Sequence, residues 1–194
     1  MPQPDHVSAL GEVPREELPE DIQSVFARCE EKIGFVPNVL RAYTLDAGKL
    51  RAFRAMYNDL MLGDSALSPL EREMIAVVVS AVNRCYYCLV AHGAAVRELS
   101  GDPELGEMLA KNYRTAPLCA RRRAMLDFAH KLTQSPEAMK EDDRQALTDA
   151  GFDKTAIFHI ASVVGFFNMS NRVAAAIDMI PNREYHNMAR TTKS

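Results

Sequence analysis

The chain has 194 residues, enough for one domain with a substantial core, and at 47% hydrophobic and 25% charged residues it has ordinary globular composition. A net charge of −3 with acids and bases interspersed argues against a nucleic-acid footprint, and the one basic cluster, Arg121-Arg122-Arg123, reads as a solvated helix face. Met1–Leu10 lacks the basic start and apolar run of a signal peptide, and the uncharged run Thr155–Asn171, interrupted by His159, Ser162 and Asn168, suits a buried helix better than a membrane span.

Residues 1–14 are Pro-rich and polar, an arm expected on the surface or on a neighbouring subunit. Glu17–Ile33 carries Leu18, Ile22, Val25, Phe26 and Cys29 at helical spacing, which makes Cys29 a small core residue; Gly34 ends that helix, and Phe35-Val36-Pro37-Asn38 is a corner. Leu45–Leu62 is a second amphipathic helix with Leu50, Phe53, Tyr57 and Leu60 on one stripe. Ser68-Pro69-Leu70-Glu71 then opens a helix with an N-cap, a proline at the first position and a capping box. That helix, running to about Val82, is apolar on nearly every side and should be central, with Arg72 on its polar sector and Glu73 as a carboxylate in the core wall. Asn83 is expected to cap a new helix from about Arg84 to Leu99. Pro103–Asn112, Pro117–Thr133 and Pro136–Ala150 follow as further helical patterns, with Cys119 packed in the core. Asp153 caps the last long helix, apolar through Phe167 and ending near Met179, in which His159 reads as a satisfied core histidine. Leu67–Asn83 laid on Phe152–Asn168 gives a faint echo, Asn83 falling on Asn168. The tail 181–194 is polar and expected to be loose. With no strand pattern and no Gly-rich phosphate loop, the expectation is an all-α single domain over 1–194 with a redox core at 67–100.

The cysteines are Cys29, Cys85, Cys88 and Cys119. Without a secretory signal they point to a cytoplasmic chain in which a Cys-x-x-Cys is redox-active or metal-binding, not a disulfide scaffold. At about 100° per residue, Cys85, Cys88 and His92 share one narrow helix sector with Leu89, Val96 and Leu99, the face expected to turn inward. A thiol reacts as thiolate, so its pKa must fall from about 8.5. A helix N-terminus at Cys85, His92 one turn past Cys88, and Glu73 placed to orient the imidazole and exchange protons are the devices available. Burial is expected to raise the Glu73 carboxyl toward neutrality. On a helix the two Cβ atoms stand roughly 5–6 Å apart, so a disulfide would need a small distortion and would reduce easily. Two other readings compete: zinc held by Cys85, Cys88, His92 and Glu73, and passive core cysteines. The functional classes left open are a peroxidase or general disulfide reductase, a zinc-binding structural module, and a redox-sensing partner protein.

Glu, eleven residues, Cys-x-x-Cys, three residues and His, spread over two consecutive buried helices, resembles the alkyl hydroperoxidase D (AhpD-like) family of the carboxymuconolactone decarboxylase-like superfamily. Gly34-Phe35-Val36-Pro37-Asn38 and Phe167-Asn168-x-x-Asn171-Arg172 resemble its longer, peroxidase-related members, so the likeness extends loosely over 17–178. The resemblance implies an AhpD-like helical bundle that assembles as a trimer or hexamer. It also implies a thiol-dependent peroxidase that reduces alkyl hydroperoxides without metal, flavin or other cofactor and is recycled by a lipoyl group or another thiol reductant. By position, Cys88 attacks the peroxide, Cys85 resolves it as the redox disulfide, and Glu73 and His92 relay protons; the helix-dipole argument alone favours Cys85 as the lower-pKa thiol. Tyr87 stands where the best-known members often have His, which bears on rate and on reductant choice. Lactone decarboxylation, the superfamily's other activity, does not need the cysteine pair.

Overall fold

The capping box forms as the sequence requires. Ser68 Oγ accepts from the Glu71 N–H at 3.2 Å and Glu71 Oε2 accepts from the Ser68 N–H at 2.9 Å, fixing the start of α4 (Pro69–Val82). In the computed structural model, which describes residues 3–191, this helix is the axis of the protein. Met74, Ile75, Ala76, Val77, Val78 and Val79 are all at most 1% exposed. Each of the larger ones contributes on the order of 1.5–3 kcal/mol by leaving water.

Four helices pack on α4: α5 (Tyr86–Ser100), α6 (Leu105–Asn112), α7 (Ala120–Gln134) and α9 (Lys154–Ala176). Two elements lie outside them, α8 (Glu141–Asp149) against α7, and a second cluster of α1 (Glu20–Ile33), α2 (Asn38–Ala42) and α3 (Ala47–Tyr57) around Leu18, Ile22, Phe26 and Leu50. The short α10 (Glu184–Asn187) packs on α5. Among the described residues there is no strand, and no helix is long and apolar enough to cross a membrane.

Several expectations are corrected by packing that no local pattern encodes. The Leu45–Leu62 helix begins only at Ala47, with Asp46 as its N-cap, and its end widens into a π turn over Asn58–Leu62. Arg72 lies not on a polar sector but at 5% exposure, its guanidinium donating to the Leu60 and Gly63 carbonyls that this turn leaves open. Asn83 does not cap the helix after it; it ends α4, Arg84 takes a left-handed φ of 55°, and Cys85 is the N-cap of α5. Leu99, expected inward, is 47% exposed, and Cys119 is an exposed N-cap of α7 instead of a core residue. Arg121 and Arg123 are not a solvated face: Arg121 pairs with Glu71 and lies over the Phe152 ring, and Arg123 donates to two carbonyls at the end of α6's loop. His159 is half-buried and partnered by Ser65 Oγ at 2.9 Å.

Both ends of the chain dock on the body of the protein. Ala9 N–H donates to Ile177 and Ile180 N–H to Val7, so the N-terminal arm lies against its own subunit. Residues 181–191 dock instead of hanging loose: Arg97, 4% exposed, donates to the Tyr185 and Met188 carbonyls, and Phe35 meets Tyr185 edge to face. Residues 1–2 and 192–194 of the expected arm and tail lie outside the described residues.

Candidate redox site

Arg84's left-handed turn is what aims the dithiol. Positive φ for a non-glycine residue is uncommon and is held here by the Asn83 anchor, whose amide donates to Asn168 and Asn171. The turn delivers Cys85 in extended conformation at the head of α5, with Cys88 in the first turn, and both are buried at 3% and 1% exposure. Because Cys85 is a cap and not a helical residue, the pair does not have the helical i,i+3 geometry expected for it.

The two thiols titrate as a pair. The Cys88 S–H, acting as donor, pulls the Cys85 pKa down to about 7 against the opposing effect of burial. The amides of Cys88 and Tyr87 and the His92 ring add to this, although no capping hydrogen bond closes at Cys85. Cys88 is pushed the opposite way, by Cys85 first and by its own burial, with the side chains of Asn171 and Ser80 as partial counterweights. Above about pH 7 the pair therefore carries one negative charge, and it rests on Cys85. The helix N-terminus and the neighbouring S–H act together there.

Glu73 Oε2 lies 2.6 Å from His92 Nδ1, with both side chains only 11–12% exposed, and the Phe167 ring stands edge to face on the imidazole at 4.6 Å. The Glu and the His expected from sequence are thus brought together from α4 and α5. Ser80 and Asn171 were missed by the role assignment. Ser80 donates to the Ala76 carbonyl and accepts from Asn171, which accepts from Asn83 in turn. Their signals were present: a lone serine in an apolar helix, and an asparagine inside the quoted Phe167–Arg172 pattern. Among the described residues, no three His, Cys, Asp or Glu side chains converge as a metal shell would.

Cys88 and His92 open onto a cavity of about 360 Å³; Cys85 does not line it. Its walls are apolar and aromatic, from Val25, Cys29 and Ile33 of α1, Phe53 and Tyr57 of α3, and Phe166 and Phe167 of α9. Cys29, read from sequence as core, is half-buried in this wall, and burial raises its thiol pKa. Tyr87 closes one side, its hydroxyl accepting from the Val39 N–H at 3.1 Å and acting as donor toward Tyr185. Burial pushes the Tyr57, Tyr87 and Tyr185 phenols well above their usual range, so all three are neutral O–H groups at pH 7.

Helices wrapped around a dry central one, with vicinal thiols heading the next helix, are the architecture of an AhpD-like protein. The chain belongs to the carboxymuconolactone decarboxylase family, whose model matches residues 49–129, and to its peroxidase-related, AhpD-like branch. An uncharacterized peroxidase-related protein from Silicibacter sp. TM1040 is 59% identical over 98% of this chain and 100% of its own, with a TM-score of 0.93. A second uncharacterized peroxidase-related protein, from Ralstonia eutropha JMP134 and described as an alkylhydroperoxidase AhpD core, is 39% identical over 98% and 100%, with a TM-score of 0.95. Uncharacterized protein YnjA of Escherichia coli (strain K12) is 26% identical over 117 residues, which are 59% of this chain and 63% of that protein.

Proposed function

We propose that the protein is a thiol-dependent peroxidase that reduces organic hydroperoxides through Cys88 and Cys85. The observation that carries this reading is the layering of the site. Cys88 faces an apolar cavity beside a Glu73–His92 pair, and Cys85, the thiol with the lowered pKa, lies behind it. Cys88 is the sulfur a substrate reaches. Its proton passes to the Cys85 thiolate or to His92, and the donors Ser80 and Asn171 favour the thiolate that forms. Attack on the peroxide breaks the O–O bond: Cys88–S⁻ takes one oxygen to become sulfenic acid, and the other leaves as alcohol after accepting a proton from the His92–Glu73 relay. The Cys85 thiol then displaces hydroxide from the sulfenic acid, giving the disulfide and one water. A dithiol reductant, such as a lipoyl group, returns both thiols and leaves as its own disulfide.

The test is peroxide consumption coupled to dihydrolipoamide. Cys88→Ser should abolish it, and Cys85→Ser should permit a single oxidation trapped as sulfenic acid. Recovery of Cys29 or Cys119 in the main disulfide after mild oxidation would overturn the assignment.

A further inference from the structure

Arg54 stands out in the cavity wall. It lies on α3 one turn before Asn58, half-buried, on the wall built by α1 and α3; Cys88 and His92 come from α5. Its charge is felt at the neighbouring Cys29 thiol, and the rest of that wall, Val25, Ile33, Leu62 and the neutral amide of Asn58, gives it no anionic partner. The other arginines held in the fold have partners: Arg41 donates to Glu12, Arg72 and Arg97 donate to carbonyls, and Arg121 is ion-paired with Glu71 at 3.6 Å. Among the described residues, Arg54 has neither an ion pair nor a side-chain hydrogen bond. A guanidinium beside apolar walls attracts an anion more strongly than one in open water, and its planar fork matches a carboxylate.

Size narrows the ligand further. A cavity of about 360 Å³ holds about a dozen units of the ~30 Å³ that one water occupies, so hydrogen peroxide would leave most of it unfilled. Building on the peroxidase reading above, we propose that the substrate is a hydroperoxide of about a dozen non-hydrogen atoms with an apolar body and a carboxylate. The carboxylate is seated on Arg54 while the peroxide meets Cys88. Arg54 is then a specificity-determining residue that acts on binding, and its effect belongs in KM.

The experiment compares 4-(2-hydroperoxypropan-2-yl)benzoate with its methyl ester, using neutral dihydrolipoamide as the reductant. A single-turnover arm with pre-reduced protein and no reductant separates a carboxylate on the oxidant from one on the reducing dithiol. The carboxylate should be preferred over the ester by on the order of tenfold in kcat/KM, through KM, in both arms. In Arg54→Gln that ratio should collapse toward unity, and Arg54→Lys should keep part of it. Equal use of acid and ester by the wild type, or a preference that survives Arg54→Gln, would overturn the proposal. Calorimetry of the non-reactive 4-isopropylbenzoate and its methyl ester with the wild type separates the two readings. Acid bound tenfold tighter, with no peroxide consumed, retains the anion site and removes the peroxidase; no acid preference removes the anion site whatever the peroxide result.

Discussion

Among single residues, Cys85 sets the charge of the thiol pair, which loses its first proton near neutrality. The Cys85 pKa lies at about 7, below an ordinary thiol, so the reactive monoanion is lost as pH falls through 7 and complete above it. Alkylation of the reduced dithiol should therefore rise between pH 6 and 8 and level off; a midpoint above 8.5, followed by mass spectrometry of the Cys85–Cys88 peptide, would contradict this. Glu73 offers a second test. Glu73→Gln keeps the shape and should slow peroxide-driven oxidation by on the order of 10²-fold, with His92→Asn similar and the double variant little worse. An oxidation rate equal to wild type in stopped-flow fluorescence would leave Glu73 a structural carboxylate and nothing more.

Elements explain both what the sequence disclosed and what it concealed. Ser68-Pro69-Leu70-Glu71 could be read because a capping box is local, and Ser68→Ala should cost about 1 kcal/mol in urea unfolding. The Glu73–His92 contact was legible because the spacing of two buried helices left few places for either side chain. The exchange of roles between Asn83 and Cys85 was not, since it depends on Asn168 and Asn171, 85 and 88 residues away and bonded to the Asn83 amide. Nor was the burial of Arg72, which answers carbonyls freed by a π turn that nothing in Asn58–Leu62 announces. A close approach makes another prediction. A Cβ on Gly106 would stand 2.9 Å from the Gly93 carbonyl of α5, the helix that carries Cys88 and His92. Gly106→Ala should destabilise by roughly 1–3 kcal/mol and disturb thiol reactivity as well, read by thermal unfolding and alkylation side by side.

For the molecule as a whole, the docked segment after Ile180 matters most. Arg97→Met keeps much of the side chain's stem but drops the hydrogen bonds to the Tyr185 and Met188 carbonyls. It should cost on the order of 1–3 kcal/mol and speed Cys88 alkylation as Tyr185 leaves the cavity wall; unchanged alkylation would mean that α10 does not guard the site. Leu62 and Phe158, 70% and 69% exposed, are apolar surface that a second copy of the chain would cover, so light scattering at micromolar concentration should give a homo-oligomer. The same docked segment has a consequence for synthesis. Tyr185 is made about a hundred residues after Cys88, which at ~5–20 residues per second is roughly 5–20 s of translation. For the later part of that interval a nascent chain carries its dithiol outside the ribosome without its last wall, so a ribosome stalled near codon 180 should present Cys88 to a bulky alkylating agent that the finished protein excludes.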